Sequence, residues 1–317
     1  MQYREIGKSG IQVAPLAFGG NVFGWTANEK TSFNLLDMFV DNGLNLIDTA
    51  DMYSTWGPGN KGGESETIIG NWLKKSGKRN KAVIATKVGK PMGNGKQGLS
   101  KKYITTAVDD SLRRLQTDYI DLYQAHEDDP NTPLLETMET FDMLIKQGKV
   151  RAVGASNYSA SRFEEALRVS KEHNIAAYQS LQPEYNLYNR KEFETEFEPL
   201  CLRDDIGVIT FYALAKGFLT GKYRSAADLD KSPRGGGVKE YLNERGFNIL
   251  NALDEVASHY ATTPAAVAIA WVMARPGITA PIASATSNEQ LNGLVKAAGI
   301  SLQLADLELL NSASGYE

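Results

Sequence analysis

Four side chains able to move protons stand at the ends of short apolar runs in this chain. Asp48 lies in the run Leu44–Ala50 and Tyr53 follows it by five residues; Lys87 closes Ala82–Lys87 and His126 closes Asp121–His126. A carboxylate, a phenol, an ammonium and an imidazole make a set with a clear division of labour. A free phenol, with a pKa of about 10, is a poor acid at neutral pH. An ammonium beside it favours phenolate and lowers that pKa, each unit being worth about 1.4 kcal/mol. Asp48 would hold Lys87 charged and in place. His126 would donate a hydrogen bond to a carbonyl oxygen, orienting it and stabilising the charge that develops there. Singly, each has a plainer use, as a loop cap, a rim aromatic, a snorkelling lysine or a packed histidine. Their coincidence on neighbouring run ends is what points to chemistry.

Eight apolar runs read as strands: Pro15–Gly20, Leu44–Ala50, Ala82–Lys87, Asp121–His126, Val150–Ser156, Ala177–Leu181, Gly207–Tyr212 and Ile278–Ala285. Between them lie amphipathic helical patterns, including Thr31–Asn42, Glu66–Lys75, Lys102–Leu115, Leu134–Gln147, Ser161–His173 and Glu192–Asp204. Strands this uniformly apolar suit a parallel sheet covered on both faces. Eight right-handed alternations close into an α/β (β/α)8 TIM barrel, whose active site lies at the C-terminal strand ends. Tyr3–Val13 reads as an N-terminal β-hairpin closing the barrel bottom, and extra helices lie before strand eight and at the C-terminus. Thr132-Pro133 and Thr263-Pro264 read as N-caps followed by proline, and Ser287–Gln290 as a capping box. A loop of about 27 residues, Ala213–Lys239, follows strand seven. No stretch has linker composition, so residues 1–317 are read as one domain.

Composition narrows the function classes. The net charge of −4 and pI near 5.6 offer no basic footprint for nucleic acid. One cysteine, Cys201, rules out an intrachain disulfide framework. Met1-Gln-Tyr-Arg-Glu has no apolar stretch of the kind a signal peptide needs, and no apolar run is long enough for a membrane span, so the expected location is cytoplasmic. His126-Glu-Asp-Asp129 invites a metallohydrolase reading, but three histidines, none at H-x-H spacing, are too few for the usual zinc site, and no metal is expected. Gly57-Pro-Gly-Asn-Lys-Gly62 matches the spacing of a dinucleotide fingerprint. It lies about seven residues past its strand, and no Asp or Glu occurs between Thr67 and Val108, so it is read as a loop over the mouth.

The chain resembles the aldo-keto reductase superfamily, most closely the bacterial branch that is similar to potassium-channel β subunits. The matching segments are Asn45-Leu-Ile-Asp-Thr-Ala-Asp-Met-Tyr53, Val83-Ile-Ala-Thr-Lys87, Asp118-Tyr-Ile-Asp-Leu-Tyr-Gln-Ala-His126, Gly148-Lys-Val-Arg-Ala-Val-Gly-Ala-Ser-Asn157 and Gly217-Phe-Leu-Thr-Gly-Lys-Tyr223. The resemblance implies reversible reduction of aldehydes or ketones with NADP(H). Tyr53 would be the general acid, Lys87 its tuner, Asp48 the partner of Lys87, and His126 the carbonyl-aligning group. It places Ser156, Asn157 and Gln179 on the nicotinamide carboxamide and Phe211, where relatives carry tyrosine, on the ring. Leu214, Gly217, Lys222 and Arg234 fall on the segment that covers the pyrophosphate. Where relatives place a cation for the adenosine 2′-phosphate, this chain has Ser284, Thr286 and Gln290 and no base, which admits NAD(H) as well. Aromatics on strand-end loops, namely Phe23, Trp25, Trp56, Tyr185 and Tyr188, are the candidates for binding a small carbonyl substrate. A cofactor-binding regulatory subunit that senses redox state is the second reading. Oligomeric state is not legible.

Overall fold

A computed structural model describes residues 2–93, 95–231 and 235–316. The chain opens with an antiparallel hairpin, β1 (Arg4–Glu5) and β2 (Gln12–Val13). Eight parallel strands follow: β3 (Ala17–Gly19), β4 (Leu46–Asp48), β5 (Val83–Val88), β6 (Ile120–Ala125), β7 (Val150–Ser156), β8 (Ser180–Gln182), β9 (Gly207–Thr210) and β10 (Ile278–Ala283). They pair in sequence order, and β10 returns to β3, closing the expected barrel. β7 has the expected bounds, Val150–Ser156, while the expected Ala177–Leu181 strand is Ser180–Gln182.

Both faces of the strands are buried, which is why the runs are apolar throughout. Ala17, Leu46, Val83, Ala85, Leu122, Ala152, Ile209 and Ala280 cluster inside the barrel with Ile6, Ile11 and Val13 of the hairpin, which therefore plugs the bottom. Their neighbours Phe18, Ile47, Ile84, Tyr123, Val153 and Val208 join the larger core beneath the helices. Side chains alternate along a strand, so two residues above each apolar plug residue another one faces inward. Leu46 is thus followed by Asp48, Ala85 by Lys87, and Leu122 by Gln124 and then His126. The barrel is apolar at its base and polar at its top.

The covering helices are α1 (Glu29–Asp41), α2 (Glu64–Ser76), α3 (Lys101–Leu115), α4 (Leu134–Lys146), α5 (Ala160–His173), α6 (Glu198–Asp204), α7 (Glu244–His259), α8 (Pro264–Met273), α9 (Asn288–Ala297) and α10 (Leu304–Ala313). α7 and α10, the expected additions, pack on one another. Thr263 caps α8 as expected, its oxygen accepting from Ala266 N. Ser287 caps α9, and Gln290 reaches back to Thr286 N, one residue before the cap. The cap expected at Thr132 does not form: α4 begins after Pro133, and the Thr132 hydroxyl donates to Asp129 at 2.7 Å. The expected helix Glu192–Asp204 is split into a wide turn, Phe193–Phe197, and α6. Pro199 has no N–H for the carbonyl four residues back, so the regular ladder cannot run through. Cys201 is buried in α6, and burial pushes its thiol up to about 12, away from reactivity.

Candidate active site

The polar top layer is joined by hydrogen bonds. Lys87 Nζ, wholly buried, donates to Asp48 Oδ2 at 2.7 Å, to the Thr49 carbonyl at 2.8 Å and to Tyr53 Oη at 3.1 Å. Its donors are all used. Asp48 Oδ1 accepts from Gln182 Nε2 at 2.8 Å, and that same amide nitrogen lies 3.4 Å from Gln124 Oε1. The Tyr53 and His126 rings meet edge to face with centroids 5.9 Å apart. The four side chains expected to act together are therefore brought together.

Five backbone and loop features hold the phenol over Lys87. Asp51 N donates to the Lys87 carbonyl and Gly63 N to the Tyr53 carbonyl, each within about 3 Å. The Ser54 hydroxyl reaches the Phe23 carbonyl, and the Asn60 amide reaches the carbonyls of Gly24 and Ser54. Glu64 accepts from the backbone of Lys61 and Gly62. The glycine-rich stretch 57–62 is thus a loop tied down beside the mouth, with no strand-to-helix phosphate turn.

Electrostatics departs from the sequence expectation at one point. Burial raises the Tyr53 phenol, and the Lys87 charge pulls it down without cancelling that rise, so the group stays protonated across neutral pH. Burial alone would lower Lys87, but Asp48 and Tyr53 more than restore it, and the ammonium stays charged. Burial, reinforced by the charges of Lys87 and Lys90, drives His126 well below the usual histidine range. The imidazole is neutral at pH 7, and its buried Nδ1 has no hydrogen-bond partner among the described residues. At neutral pH the Tyr53 hydroxyl consequently keeps its proton, and His126 is uncharged rather than a cation.

The cofactor candidates divide. Ser156 Oγ donates to the Gln182 carbonyl, and Asn157 Nδ2 donates to the His126 carbonyl and to Ser156 Oγ. Gln179 is a correction. It sits at the opposite end of the barrel, its Oε1 accepting from Lys8 N of the hairpin turn. β8 starts only at Ser180, and its inward residues are Ser180 and Gln182, so the glutamine at the polar mouth is Gln182. The signal for it was available: period-two alternation counted from Ser180. Asn157 Oδ1 and Gln182 Oε1 accept no hydrogen bond from the described residues, leaving two acceptors suited to a carboxamide N–H.

Phe211 is half-buried at the end of β9, with Tyr212 against it. Beyond it the backbone winds through left-handed conformations at Tyr212, Ala215, Lys216 and Gly217. Successive turns of this kind gather backbone N–H groups into an anion cradle. Gly217, at φ 101°, holds a conformation strained for any other residue. Leu214 is half-buried there, and Lys216, which the sequence reading passed over, ties the segment to Glu240 at 2.7 Å. Lys222 is exposed over the Tyr223 ring, and Arg234 lies outside the described residues. Across the barrel, Ser284 Oγ donates to Asn21 Oδ1 at 2.7 Å, while Thr286 and Gln290 bond to each other. These residues are neutral donors and acceptors that suit a hydroxyl or a phosphate.

Of the substrate aromatics, Trp56 lies beside the phenol and Trp25 packs on Trp56. Trp56 lies 5.6 Å from the Tyr53 ring and 6.1 Å from Trp25, centroid to centroid. The other three are corrections. Phe23 is fully buried and stacks on Phe18. Tyr185 is buried between Phe193 and Trp271, with its hydroxyl on Glu194. Tyr188 packs edge-on against Tyr241 beneath Arg245. Loop aromatics of this size bury against their own scaffold whenever it offers apolar area, and here it does. Among the described residues no His, Cys, Asp or Glu cluster is arranged to hold a metal ion, and no helix is long and apolar enough to cross a membrane.

Comparison with known proteins agrees with this geometry. Residues 15–314 match the family described as "Aldo/keto reductase family". The chain is 34% identical to "Uncharacterized oxidoreductase YrpG" of Bacillus subtilis (strain 168), over 98% of this chain and 95% of that one. It is 33% identical to "Aldo-keto reductase YhdN" of the same organism, over 98% of this chain and 93% of that one. It is also 33% identical to "Probable voltage-gated potassium channel subunit beta" of Arabidopsis thaliana, over 95% and 92%.

Proposed function

Since the chain belongs to the aldo/keto reductase family, we propose that it is an NADP(H)-dependent oxidoreductase that reduces aldehydes or ketones to alcohols, with Tyr53 as the general acid. The observation that carries this reading is the continuous hydrogen-bonded run Gln182–Asp48–Lys87–Tyr53 beside His126, at the strand ends of a closed barrel. When bound, a nicotinamide dinucleotide supplies hydride.

Tyr53 delivers its proton to the carbonyl oxygen as the carbonyl carbon takes up hydride, so one C–H and one O–H bond form while the C=O π bond breaks. His126, neutral, donates its remaining ring N–H to the same oxygen and holds it facing Tyr53. Lys87 steadies the phenolate that remains, and the burial that raises Tyr53 drives its reprotonation. Asp48 keeps the ammonium charged, and Gln182 keeps Asp48 turned toward it.

For the cofactor we assign Ser156, Asn157 and Gln182 to the carboxamide, Phe211 to the ring, Leu214, Gly217 and Lys222 to the pyrophosphate, and Ser284, Thr286 and Gln290 to the adenosine end. The last three carry no positive charge, so NAD(H) is accepted beside NADP(H), with a preference below about a hundredfold.

The test follows nicotinamide absorbance with a reactive aromatic aldehyde, using NADPH and NADH in parallel. Tyr53→Phe is expected to cost about 10²- to 10⁴-fold in kcat/KM and to leave cofactor Kd within about twofold. The channel-subunit relative motivates a second reading, a redox sensor with little turnover. Tight cofactor binding without aldehyde-dependent oxidation would favour it; no cofactor binding would refute both.

A further inference from the structure

Lys90 stands three residues beyond Lys87, on the loop that leaves β5. Its base is closed by Gly98 N donating to the Gly89 carbonyl at 2.8 Å, and His126 N donates to the Val88 carbonyl at 2.8 Å, which sets this turn against the His126 strand end. Met92, two residues on, packs where a Gly62 side chain would begin, so the loop lies across from the one carrying Trp56. Lys90 is half-buried and makes no ion pair or hydrogen bond through its side chain among the described residues.

Several other cations of the strand-end layer are committed. Lys87 has its donors filled by Asp48, Thr49 and Tyr53. Arg114 is on Glu66, Arg162 on Asp128 and Glu165, and Lys216 on Glu240. Glu127 follows His126 directly in the chain, yet the charges that act on the imidazole are those of Lys87 and Lys90. Lys90 is therefore close enough to the His126 strand end for its charge to act on the imidazole, alongside that of Lys87. A half-buried cation with no side-chain partner among the described residues is free to pair with an anion on the substrate.

We propose that Lys90 is a specificity-determining residue, which selects carbonyl substrates bearing a carboxylate a few bonds from the carbonyl, with the aromatic pair Trp25 and Trp56 covering the apolar part between. This rests on the reductase reading above and names its substrate class.

The test measures kcat/KM for 4-formylbenzoate and for its uncharged methyl ester in the wild type, Lys90→Met and Lys90→Arg. The anion-to-ester ratio is compared across proteins, which cancels the intrinsic reactivities of the two aldehydes. It is expected to fall about tenfold in Lys90→Met, mainly through KM, and to recover in Lys90→Arg. Added salt should shrink the wild-type ratio and leave the Met variant's ratio level. A ratio unchanged by Lys90→Met overturns the assignment while leaving the reductase reading intact. Failure of the wild type to reduce either aldehyde, with cofactor bound, overturns that reading and this inference with it.

Discussion

Asp48→Asn isolates the one fully buried charge pair in the site. Lys87 is 0% and Asp48 2% exposed, with 2.7 Å between Nζ and Oδ2. The amide is isosteric and keeps one acceptor for Lys87. Its nitrogen, however, faces Gln182 Nε2, donor against donor, and the ammonium loses the carboxylate it pairs with. Removing one member of a buried pair costs about 3–5 kcal/mol, because the remaining charge stays desolvated and uncompensated. For a chain this long, the lower end of roughly 2–4 °C per kcal/mol applies, so Tm falls by about 6–10 °C. The pH dependence gives the sharper test. In the wild type Asp48 and Tyr53 raise Lys87, so its contribution is fully present below the unfolded lysine pKa and is lost only as pH rises through the higher folded value. In the variant burial is left nearly unopposed and lowers Lys87, so the folded protein sheds the proton more readily than the unfolded chain. The variant therefore regains stability as pH rises toward about 10, and the Tm gap to wild type narrows between about pH 7 and 10. Differential scanning calorimetry of both proteins in matched buffers reads this directly. A gap that is constant or widening over that range would refute the charge-pair argument, whatever its size at neutral pH.

Three further outcomes follow from the same geometry. Gln182→Ala should weaken cofactor binding about two- to tenfold in a fluorescence titration, as one lost hydrogen bond would, while Gln179→Ala, at the other end of the barrel, should not; the reverse order would return the role to Gln179. With Tyr53 raised and His126 held neutral, kcat/KM for reduction should stay level from about pH 6 to 9, and an inflection near the ordinary histidine value of about 6.5 would contradict the neutral imidazole. Gly217→Ala strains a backbone at φ 101° and should raise cofactor Kd with little change in the spectrum of the folded protein; an unchanged Kd would remove that segment from the cofactor site.

The elements and the reacting set were legible in the sequence because both are local. Uniform apolar runs announce strands covered on both faces, amphipathic spacing announces the helices, and the run from Asn45 to Tyr53 carries an acid and a phenol at fixed separation. Alternation within a strand decides which residues face inward, but it needs a phase, and short strands supply little. β8 has three residues, and a strand taken to start three positions early put Gln179 where Gln182 belongs. Burial of the loop aromatics was hidden for a related reason: whether Tyr185 meets solvent or Trp271 depends on a residue 86 positions away.

Chain order alone determined that a carboxylate, a phenol, an ammonium and an imidazole would reach one barrel mouth, since parallel strands joined by helices all end on the same side. Only the tertiary structure decided their protonation. Proximity to Lys87 was readable and argues for an acidic phenol; the loss of water around Tyr53 was not readable, and it acts the other way and prevails. Desolvation is a property of everything packed around a group, drawn from strands and loops far apart in sequence, and no local spacing records it.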